Sequence, residues 1–306
     1  MTDVLVLRSL GLGDLLTAVP ALRGLARALP QRRITLAAPA ALAPLVPLTS
    51  AVADLVPTDA GLTGVTARLG VNLHGSGPQS HRLLQGVSRQ VVGFGSTEAE
   101  VAGPEWADDV HEVERWCRLV DQVFGGTCDR SDLELLSPAV PDVPAGVVVV
   151  HVGAAHESRR WPVGRWGAVV AALRRRGLPV VLTGSLPERR RARQVAEAAG
   201  VPDSGLWAGR TDLGRLAALV RSASLVVTGD TGMSHLATAY RIPSVTLFGP
   251  VSPRLWGPPD HARHRVLWHG GDALRPGDPW AAHPDERLLR IQPDEVLAHC
   301  DHLLAG

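Results

Sequence analysis

The sequence contains no lysine: all 31 basic residues of its 306-residue length are arginines. Any cation that grips an anionic ligand must therefore be a guanidinium, which is planar and donates paired hydrogen bonds. The formal net charge is only +1 at pH 7, which gives no electrostatic case for nucleic-acid binding. Together with the abundance of alanine, glycine and proline, the missing lysine indicates a GC-rich genome.

Cysteine is scarce, with three residues at positions 117, 128 and 300. Their number is odd and their spacing is not that of metal ligands, so the sequence predicts reduced thiols and no metal site. The acidic triplet "DLE" at 132–134 has the form of a metal motif, but it lies just before a proline-rich segment and we discount it.

A long uninterrupted apolar run is also missing. The segment Ile34–Ala53 is uncharged and mostly apolar, but Pro39, Pro44 and Pro47 break it into a strand and short helical pieces. The chain opens on a strand-like segment with no signal-peptide pattern. These features predict a cytoplasmic protein without a transmembrane segment, and they leave peripheral membrane contact open.

What the sequence does have is a regular alternation of apolar strands and amphipathic helices. Strands are predicted at 4–9, 33–38, 70–74, 89–94, 146–153, 178–184 and 225–229, and the clearest helices at 14–29, 109–124 and 293–304. A proline within the first helix, Pro20, predicts a kink or a late start.

This alternation predicts an α/β protein with two Rossmann-like, doubly wound domains that face a cleft. The proline-rich segment 136–146 reads as a linker between them. We predict an N-terminal domain at 1–140, a C-terminal domain at 147–290 and a helix at 291–306 that packs back on the N-terminal domain.

Ligands of doubly wound sheets bind at the carboxyl ends of the strands, and the first such loop is "RSLGLGDLL" at 8–16. Gly11 and Gly13 allow a sharp turn and a close approach to a ligand. Asp14 stands at the start of the following helix, where it is either a functional carboxylate or simply a capping residue.

The second loop, "HVGAAHESRRWP" at 151–162, combines small residues with two cations. Gly153 and Ala154 would leave room for a ligand, and Arg159 and Arg160 offer charge to an anion. The alternative is an ordinary solvated loop.

The third loop, "TGDTGMSHLATAY" at 228–240, leads from a buried strand into a helix whose free N–H groups suit a pyrophosphate. Asp230 would repel phosphate, so we expect it to accept hydrogen bonds from sugar hydroxyls instead. Capping explains Asp230 equally well, but it explains neither Ser234 nor His235.

Five motifs, in this order, give the chain its likeness to a known family: "GLGDLLTAVPAL", "SRRWP", "LTGSLPE", "GDTGMSHLATA" and "VTLFGPVSPRLWGP". The chain resembles glycosyltransferase family 9, the ADP-heptose heptosyltransferases, over nearly its whole length. The resemblance implies a GT-B fold, a nucleotide sugar held mainly by the C-terminal domain, an acceptor held by the N-terminal domain, and no metal or other cofactor.

By the same resemblance, Asp14 falls on the family's general base and Arg159 replaces a lysine that contacts the donor phosphates. The implied reaction is an inverting transfer, most simply of heptose from ADP-heptose. Because a carboxylate at a helix N-terminus is favoured in its ionised form, we expect Asp14 to be a weak but deprotonated base. The donor-binding residues that we predict are Gly11, Gly13, Gly153, Ala154, Arg159, Gly184, Asp230, Thr231, Gly232 and His235.

The acceptor is less defined by the sequence. His74 and Gln79 follow a strand end in "NLHGSGPQSH" and are candidate acceptor ligands, as is Arg82. Cations for an acidic acceptor such as lipopolysaccharide core could be supplied by Arg23, Arg27, Arg68, Arg82 and Arg89.

Several functions stay open at this point. A secondary metabolite or another glycan could replace lipopolysaccharide as acceptor. Two facing Rossmann-like domains also suit a nucleotide-sugar epimerase or a non-catalytic nucleotide-sugar binder. A dehydrogenase is disfavoured because the full dinucleotide fingerprint is missing.

Overall fold

The fold is described from a computed structural model in which residues 2–126, 128–139, 142–259, 262–271 and 277–305 are defined. The chain divides into two compact units, Met1–Leu136 and Ser137–Gly306. Their boundary lies at the start of the proline-rich segment, and residues 140 and 141, at the predicted domain end, are outside the described part.

Each unit is built on a parallel five-stranded sheet. The strands of the N-terminal sheet are β1 (Thr2–Leu7), β2 (Ile34–Ala38), β3 (Asp54–Pro57), β4 (Ala67–Asn72) and β5 (Ser88–Val92). Those of the C-terminal sheet are β6 (Val148–His151), β7 (Val180–Thr183), β8 (Leu225–Gly229), β9 (Ser244–Leu247) and β10 (His264–Leu267). The predicted α/β class with two doubly wound sheets is confirmed.

The helices of the N-terminal unit are α1 (Leu12–Ala28), α2 (Gln79–Gln85) and α3 (Glu112–Phe124). Those of the C-terminal unit are α4 (Val163–Arg175), α5 (Arg189–Ala199), α6 (Leu213–Arg221), α7 (Gly232–Ala239), α8 (Pro253–Trp256), α9 (Glu286–Arg290) and α10 (Pro293–Ala305). Four 3₁₀ turns complete the described helical structure, at Ala40–Leu45, Pro47–Thr49, Glu157–Arg159 and Asp203–Gly205. Among the described residues, no helix has both the length and the apolar character needed to cross a membrane.

The strand order fixes where ligands can bind. It is β3-β2-β1-β4-β5 in the first sheet and β10-β9-β8-β6-β7 in the second, so the winding reverses between β1 and β4 and between β6 and β8. In open α/β sheets the ligand crevice lies outside the carboxyl ends of the strands at such a reversal. The three polar loops singled out in the sequence follow β1, β6 and β8, and the "NLHGSGPQSH" segment follows β4.

The late start predicted for the first helix is corrected by the structure. The first helix does not start late: it begins at Leu12 and runs through Pro20, because the Gly11 carbonyl already accepts from Leu15 N–H over 3.1 Å. The last helix, α10, buries Val296 and Cys300 in the core of the C-terminal unit and packs on α4.

Several arginines of the N-terminal unit bind backbone carbonyls or carboxylates of the same unit. Arg23 on α1 donates from Nε to the Thr49 carbonyl over 2.9 Å, and it also binds the Asp132 carboxylate and the Glu134 carbonyl. The Asp132 carboxylate of the "DLE" triplet is thereby paired with a guanidinium. Arg68 lies 4.0 Å from Asp3, and Arg89 is the second residue of β5, which places both near the amino edge of the sheet.

Candidate functional site

Asp14 is the third residue of α1, directly beyond the loop that follows β1. Its Oδ2 accepts a hydrogen bond from Gly11 N–H over 3.1 Å, so the carboxylate does help to close the first turn of the helix. Its side chain is still 25% exposed, which leaves an oxygen that a ligand can reach. The capping and functional interpretations of Asp14 are therefore compatible.

Arg8 sits beneath this turn and is buried, with 1% of its surface exposed. It donates from Nη1 to the Leu73 carbonyl over 2.6 Å and from Nε to the Asp14 carbonyl over 2.8 Å, which joins the ends of β1 and β4. Its Nη2 lies 2.8 Å from Glu112 Oε1 and 3.5 Å from Asp14 Oδ1. One guanidinium thus connects the candidate base to a second, buried carboxylate.

Neither Arg8 nor Glu112 was predicted as part of the site. Glu112 opens α3, where it also accepts from Trp116 Nε1 over 2.7 Å and from Arg115 Nε over 3.1 Å. Burial opposes its ionisation, but attraction to Arg8 and hydrogen bonds from Arg8 and Trp116 hold the pKa of Glu112 below its ordinary value. The only sign of these contacts in the sequence was Arg8 itself, a charged residue directly after an apolar strand.

The electrostatics around Asp14 correct the prediction made from the helix terminus. Burial raises the pKa of Asp14 above its ordinary value, Arg8 lowers it and Glu112 raises it again. Loss of solvation is the largest of these effects and, with the smaller contribution of Glu112, it outweighs Arg8 and the hydrogen bonds of the helix terminus. Asp14 is therefore a stronger base than an exposed aspartate.

A pocket of about 670 Å³ opens beside this turn, in the N-terminal unit, and we call it the N-terminal pocket. Its lining consists of Leu7, Ser9, His74, Gly75, Ser76, Gly77, Gln79, Ser80 and Leu83. The loop after β4 is held by Asn72, whose Oδ1 accepts from His74 N–H over 3.0 Å and whose Nδ2 donates to Ser80 Oγ over 2.8 Å.

His74 and Gln79 thus share one pocket, whereas Arg82 is not among its lining residues and donates to the Glu98 carbonyl over 3.0 Å. The His74 Nδ1 atom is buried and has no hydrogen-bond partner among the described residues. Burial, followed by Arg8, lowers the pKa of His74, while Asp14 raises it. A neutral imidazole with an unused nitrogen therefore faces this region.

The C-terminal unit brings a second group of predicted residues together where β8 meets α7. Thr231 caps α7 by accepting from Met233 N–H over 3.3 Å, and Gly232 is the first residue of the helix. Asp230 is 6% exposed, and its Oδ2 lies 3.8 Å from Nη1 of Arg159. Burial raises the pKa of Asp230 to about 6, against the attraction of Arg159.

The 3.8 Å between Arg159 and Asp230 is an ion-pair distance that is too long for a hydrogen bond. The Nε of Arg159 is buried and has no hydrogen-bond partner among the described residues. Since an unsatisfied buried donor costs free energy, the position favours an acceptor that the protein itself does not supply. His235 lies one turn into α7, nearly buried, with its ring 6.2 Å from the ring of Trp256.

The two glycines after β6 and β7 have little free space at their Cβ positions. A Cβ on Gly153 would lie 2.1–2.4 Å from the carboxyl atoms of Glu188, and one on Gly184 would lie 3.2 Å from its Cβ. Ala154 is 2% exposed, and its carbonyl accepts from Arg160 Nε over 2.9 Å. The space beside both glycines is filled by Glu188.

Glu188 is the last residue of the "LTGSLPE" motif, and Ser185 fixes its carboxylate. Its Oε2 accepts from the N–H and the Oγ of Ser185, over 2.6 Å and 2.7 Å. Burial opposes its ionisation, but the nearby His151 and the bonds from Ser185 keep the pKa of Glu188 below its ordinary value. A fixed carboxylate therefore lies beside the ends of β6 and β7.

Comparison with known proteins gives consistent results. The family model described as glycosyltransferase family 9 (heptosyltransferase) matches residues 104–273. Lipopolysaccharide heptosyltransferase 2 of Escherichia coli is 30% identical over 207 residues, covering 65% of this chain and 56% of that protein. The chain spans about half the length of the curated relatives that it matches.

Solved structures extend the likeness of the fold to almost the whole chain. The ADP-heptose heptosyltransferase II of E. coli superposes with a TM-score of 0.78 at 21% identity, over 99% of this chain and 98% of the other. An E. coli heptosyltransferase solved with ADP-2-deoxy-2-fluoro heptose gives a TM-score of 0.70 at 19% identity, over 98% and 99% of the two chains. The chain therefore belongs to glycosyltransferase family 9, the heptosyltransferase family, and has its two-domain GT-B fold.

Proposed function

We propose that this chain is an inverting glycosyltransferase that moves a heptose from ADP-heptose onto a hydroxyl of a saccharide acceptor. The observation that carries the proposal is the partly exposed Asp14 carboxylate with a raised pKa, beside a hydroxyl-lined pocket, in a chain of the heptosyltransferase family. The proposal places the acceptor on the N-terminal unit and the donor on the C-terminal unit.

In the reaction, an acceptor hydroxyl oxygen attacks the anomeric carbon of the donor sugar as the bond from that carbon to the β-phosphate oxygen breaks. The hydroxyl proton passes to Asp14, and ADP leaves with the bonding electron pair. Base assistance of this kind contributes about 10²–10⁴ in rate. A raised pKa makes Asp14 better suited to this step, provided that the pH is high enough to ionise it.

The departing diphosphate needs positive charge and N–H donors. Arg159, whose Nε has no partner in the described part of the chain, and the N–H groups at the start of α7 would supply them without a metal ion. Asp230 would hydrogen-bond to a sugar hydroxyl, either as acceptor or, below about pH 6, as a protonated donor. His235, at the same helix end, is the second candidate for a sugar hydroxyl.

The relatives named for lipopolysaccharide make its core one acceptor candidate; a secondary metabolite or another glycan is the other. The test is to incubate the purified chain with a panel of nucleotide sugars, with and without a mixture of saccharide acceptors, and to follow products by mass spectrometry. ADP release that depends on acceptor, with a heptosylated product, is expected. Isomerised donor without release would instead indicate an epimerase, and donor binding without chemistry a binding protein.

A further inference from the structure

The N-terminal pocket has a lining without formal charge. Its polar groups are the hydroxyls of Ser9, Ser76 and Ser80, the amide of Gln79 and the imidazole of His74, and the remaining lining is glycine and leucine. Because the pKa of His74 is lowered by burial and by Arg8, its ring is neutral at neutral pH. The pocket therefore offers hydrogen bonds but no cation.

The loops at the carboxyl edge of the N-terminal sheet are also poor in cationic residues. In the segments 8–14, 39–46, 58–66, 73–80 and 93–111, the one arginine is Arg8, which is buried and paired with Glu112. The acidic residues in these segments are Asp14, Asp59, Glu98, Glu100, Glu105, Asp108 and Asp109.

Three arginines reach the last of these loops from neighbouring helices. Arg82, Arg115 and Arg118 each donate to backbone carbonyls between residues 98 and 110. None of the three is among the residues lining the pocket. Two charged groups act on His74: the guanidinium of Arg8, which is paired with Glu112, and the partly exposed carboxylate of Asp14, which raises the pKa of His74.

An anionic acceptor would be disfavoured in such a place. A carboxylate or phosphate loses hydration on entering the pocket, gains no ion pair from its lining and is repelled by ionised Asp14. Sugar hydroxyls lose less hydration, and serine, amide and imidazole groups can both donate to them and accept from them.

We propose that the N-terminal pocket selects an uncharged, hydroxyl-rich acceptor, such as a neutral glycoside, and discriminates against acceptors with a carboxylate or phosphate beside the reacting hydroxyl. This inference deepens the proposed function, on which it rests for the identity of the site. It argues against the anionic sugars of a lipopolysaccharide core as the unit that occupies this pocket.

The test compares matched acceptors that differ in one group, methyl β-D-glucoside and methyl β-D-glucuronide. Their binding to the whole protein is measured by saturation-transfer NMR without donor, and acceptor-dependent ADP release is measured with ADP-heptose. We expect the glucoside to bind, and to support release, at least about fivefold better, the ratio given by one screened contact between unit charges. Binding by the glucuronide that is equal or stronger would overturn the inference, as would binding of neither compound at saturating concentration.

Two variants make the result specific to the pocket. Gln79→Arg adds a cation to the lining and should move the preference toward the glucuronide by at least about fivefold. Gln31→Arg makes the same change in the turn before β2, at the opposite edge of the sheet, and should leave the preference unchanged. An equal shift in both variants would overturn the inference. If the glucoside binds selectively but no sugar nucleotide is turned over, the proposed transfer fails while the pocket's selectivity stands.

Discussion

Arg8 donates from Nη2 to Oε1 of Glu112 over 2.8 Å, and both side chains are almost completely buried. The pairing matters because the same nitrogen lies 3.5 Å from the candidate base Asp14. Without Glu112, the whole charge of the guanidinium would act on Asp14. Together with burial, the two residues set how basic the Asp14 carboxylate is.

We expect Glu112→Gln to weaken catalysis by making Asp14 a poorer base. The amide can still accept from Arg8 and Trp116 but no longer neutralises the guanidinium, so the pKa of Asp14 should fall. The acid limb of the kcat/KM pH profile should move to lower pH, and the plateau rate should drop about tenfold. Glu114→Gln is the control, because Glu114 pairs with Arg130 on the surface of the same helix. An unshifted acid limb would contradict this role for Glu112.

Asp14→Asn should reduce transfer by about 10²–10⁴ while leaving ADP affinity within a factor of two. Asparagine retains the oxygen that accepts from Gly11 N–H, so the first turn of α1 should remain intact. Initial rates and calorimetric titration with ADP check the two halves of the prediction. The matched control is Asp3→Asn, at the amino edge of the sheet, and a comparable loss of rate there would point to a structural effect.

Arg159→Gln should weaken ADP binding at least about tenfold, the usual effect of losing a charge-assisted hydrogen bond. The expectation follows from its buried Nε, which has no hydrogen-bond partner in the residues that the structure describes, and from the 3.8 Å between its Nη1 and Asp230 Oδ2. Arg190→Gln removes a charge from the exposed surface of α5 and should leave the titration with ADP unchanged. Unaltered ADP affinity in the Arg159 variant would remove this residue from the donor site.

Asp230→Asn should raise thermal stability, and more so at higher pH. The pKa of Asp230 in the folded chain, about 6, lies above its ordinary value of 3.8, so folding favours the protonated form. The cost of the buried carboxylate grows as the pH rises between these values and is complete above about pH 6, at about 2–3 kcal/mol. The gain in Tm of the variant over the wild type should be larger near pH 8 than near pH 4.5.

The control for this measurement is Asp301→Asn, an exposed carboxylate on α10 that pairs with Arg176. Its Tm difference from the wild type should vary little between the two pH values. A gain for Asp230→Asn that shrinks as the pH rises would show that the folded-state pKa is not raised.

Gly153→Ala should destabilise the C-terminal unit by about 1–3 kcal/mol, because the new methyl group would overlap the Glu188 carboxylate and force it from Ser185. Gly164→Ala is the matched control: nothing lies within 4 Å of its Cβ position at the start of α4, so stability should be equal or slightly higher. Differential scanning calorimetry of both variants checks the prediction. A stability of Gly153→Ala equal to that of the control would contradict the packing described for Glu188.

Much of the architecture could be predicted because the central strands are continuous apolar runs. β6 and β8 are buried along their whole length, and their sequences, "VVVH" and "LVVTG", show it directly. Three strands were not predicted. The edge strands β3 and β10 are partly exposed and carry no such run, whereas β9, with the sequence "SVTL", is buried but alternates polar and apolar residues.

The polar site was predictable only in part. Asp14, Asp230 and Thr231 are marked by their position after a strand, which depends on local sequence alone. The pairing of Arg8 with Glu112 joins residues 104 positions apart, and the filling of the space beside Gly153 depends on a side chain from the next loop. The raised pKa of Asp230 likewise comes from burial, which sequence spacing does not encode.

The position of α10 has a practical consequence for any shortened form of this protein. Its side chains Val296 and Cys300 are fully buried, and the helix covers β9 and α4. Deleting residues 293–305 would therefore expose apolar side chains of the C-terminal sheet and of α4 to solvent, and we expect such a protein to aggregate. An isolated C-terminal unit has to begin at the proline-rich segment 136–146 and must keep this final helix.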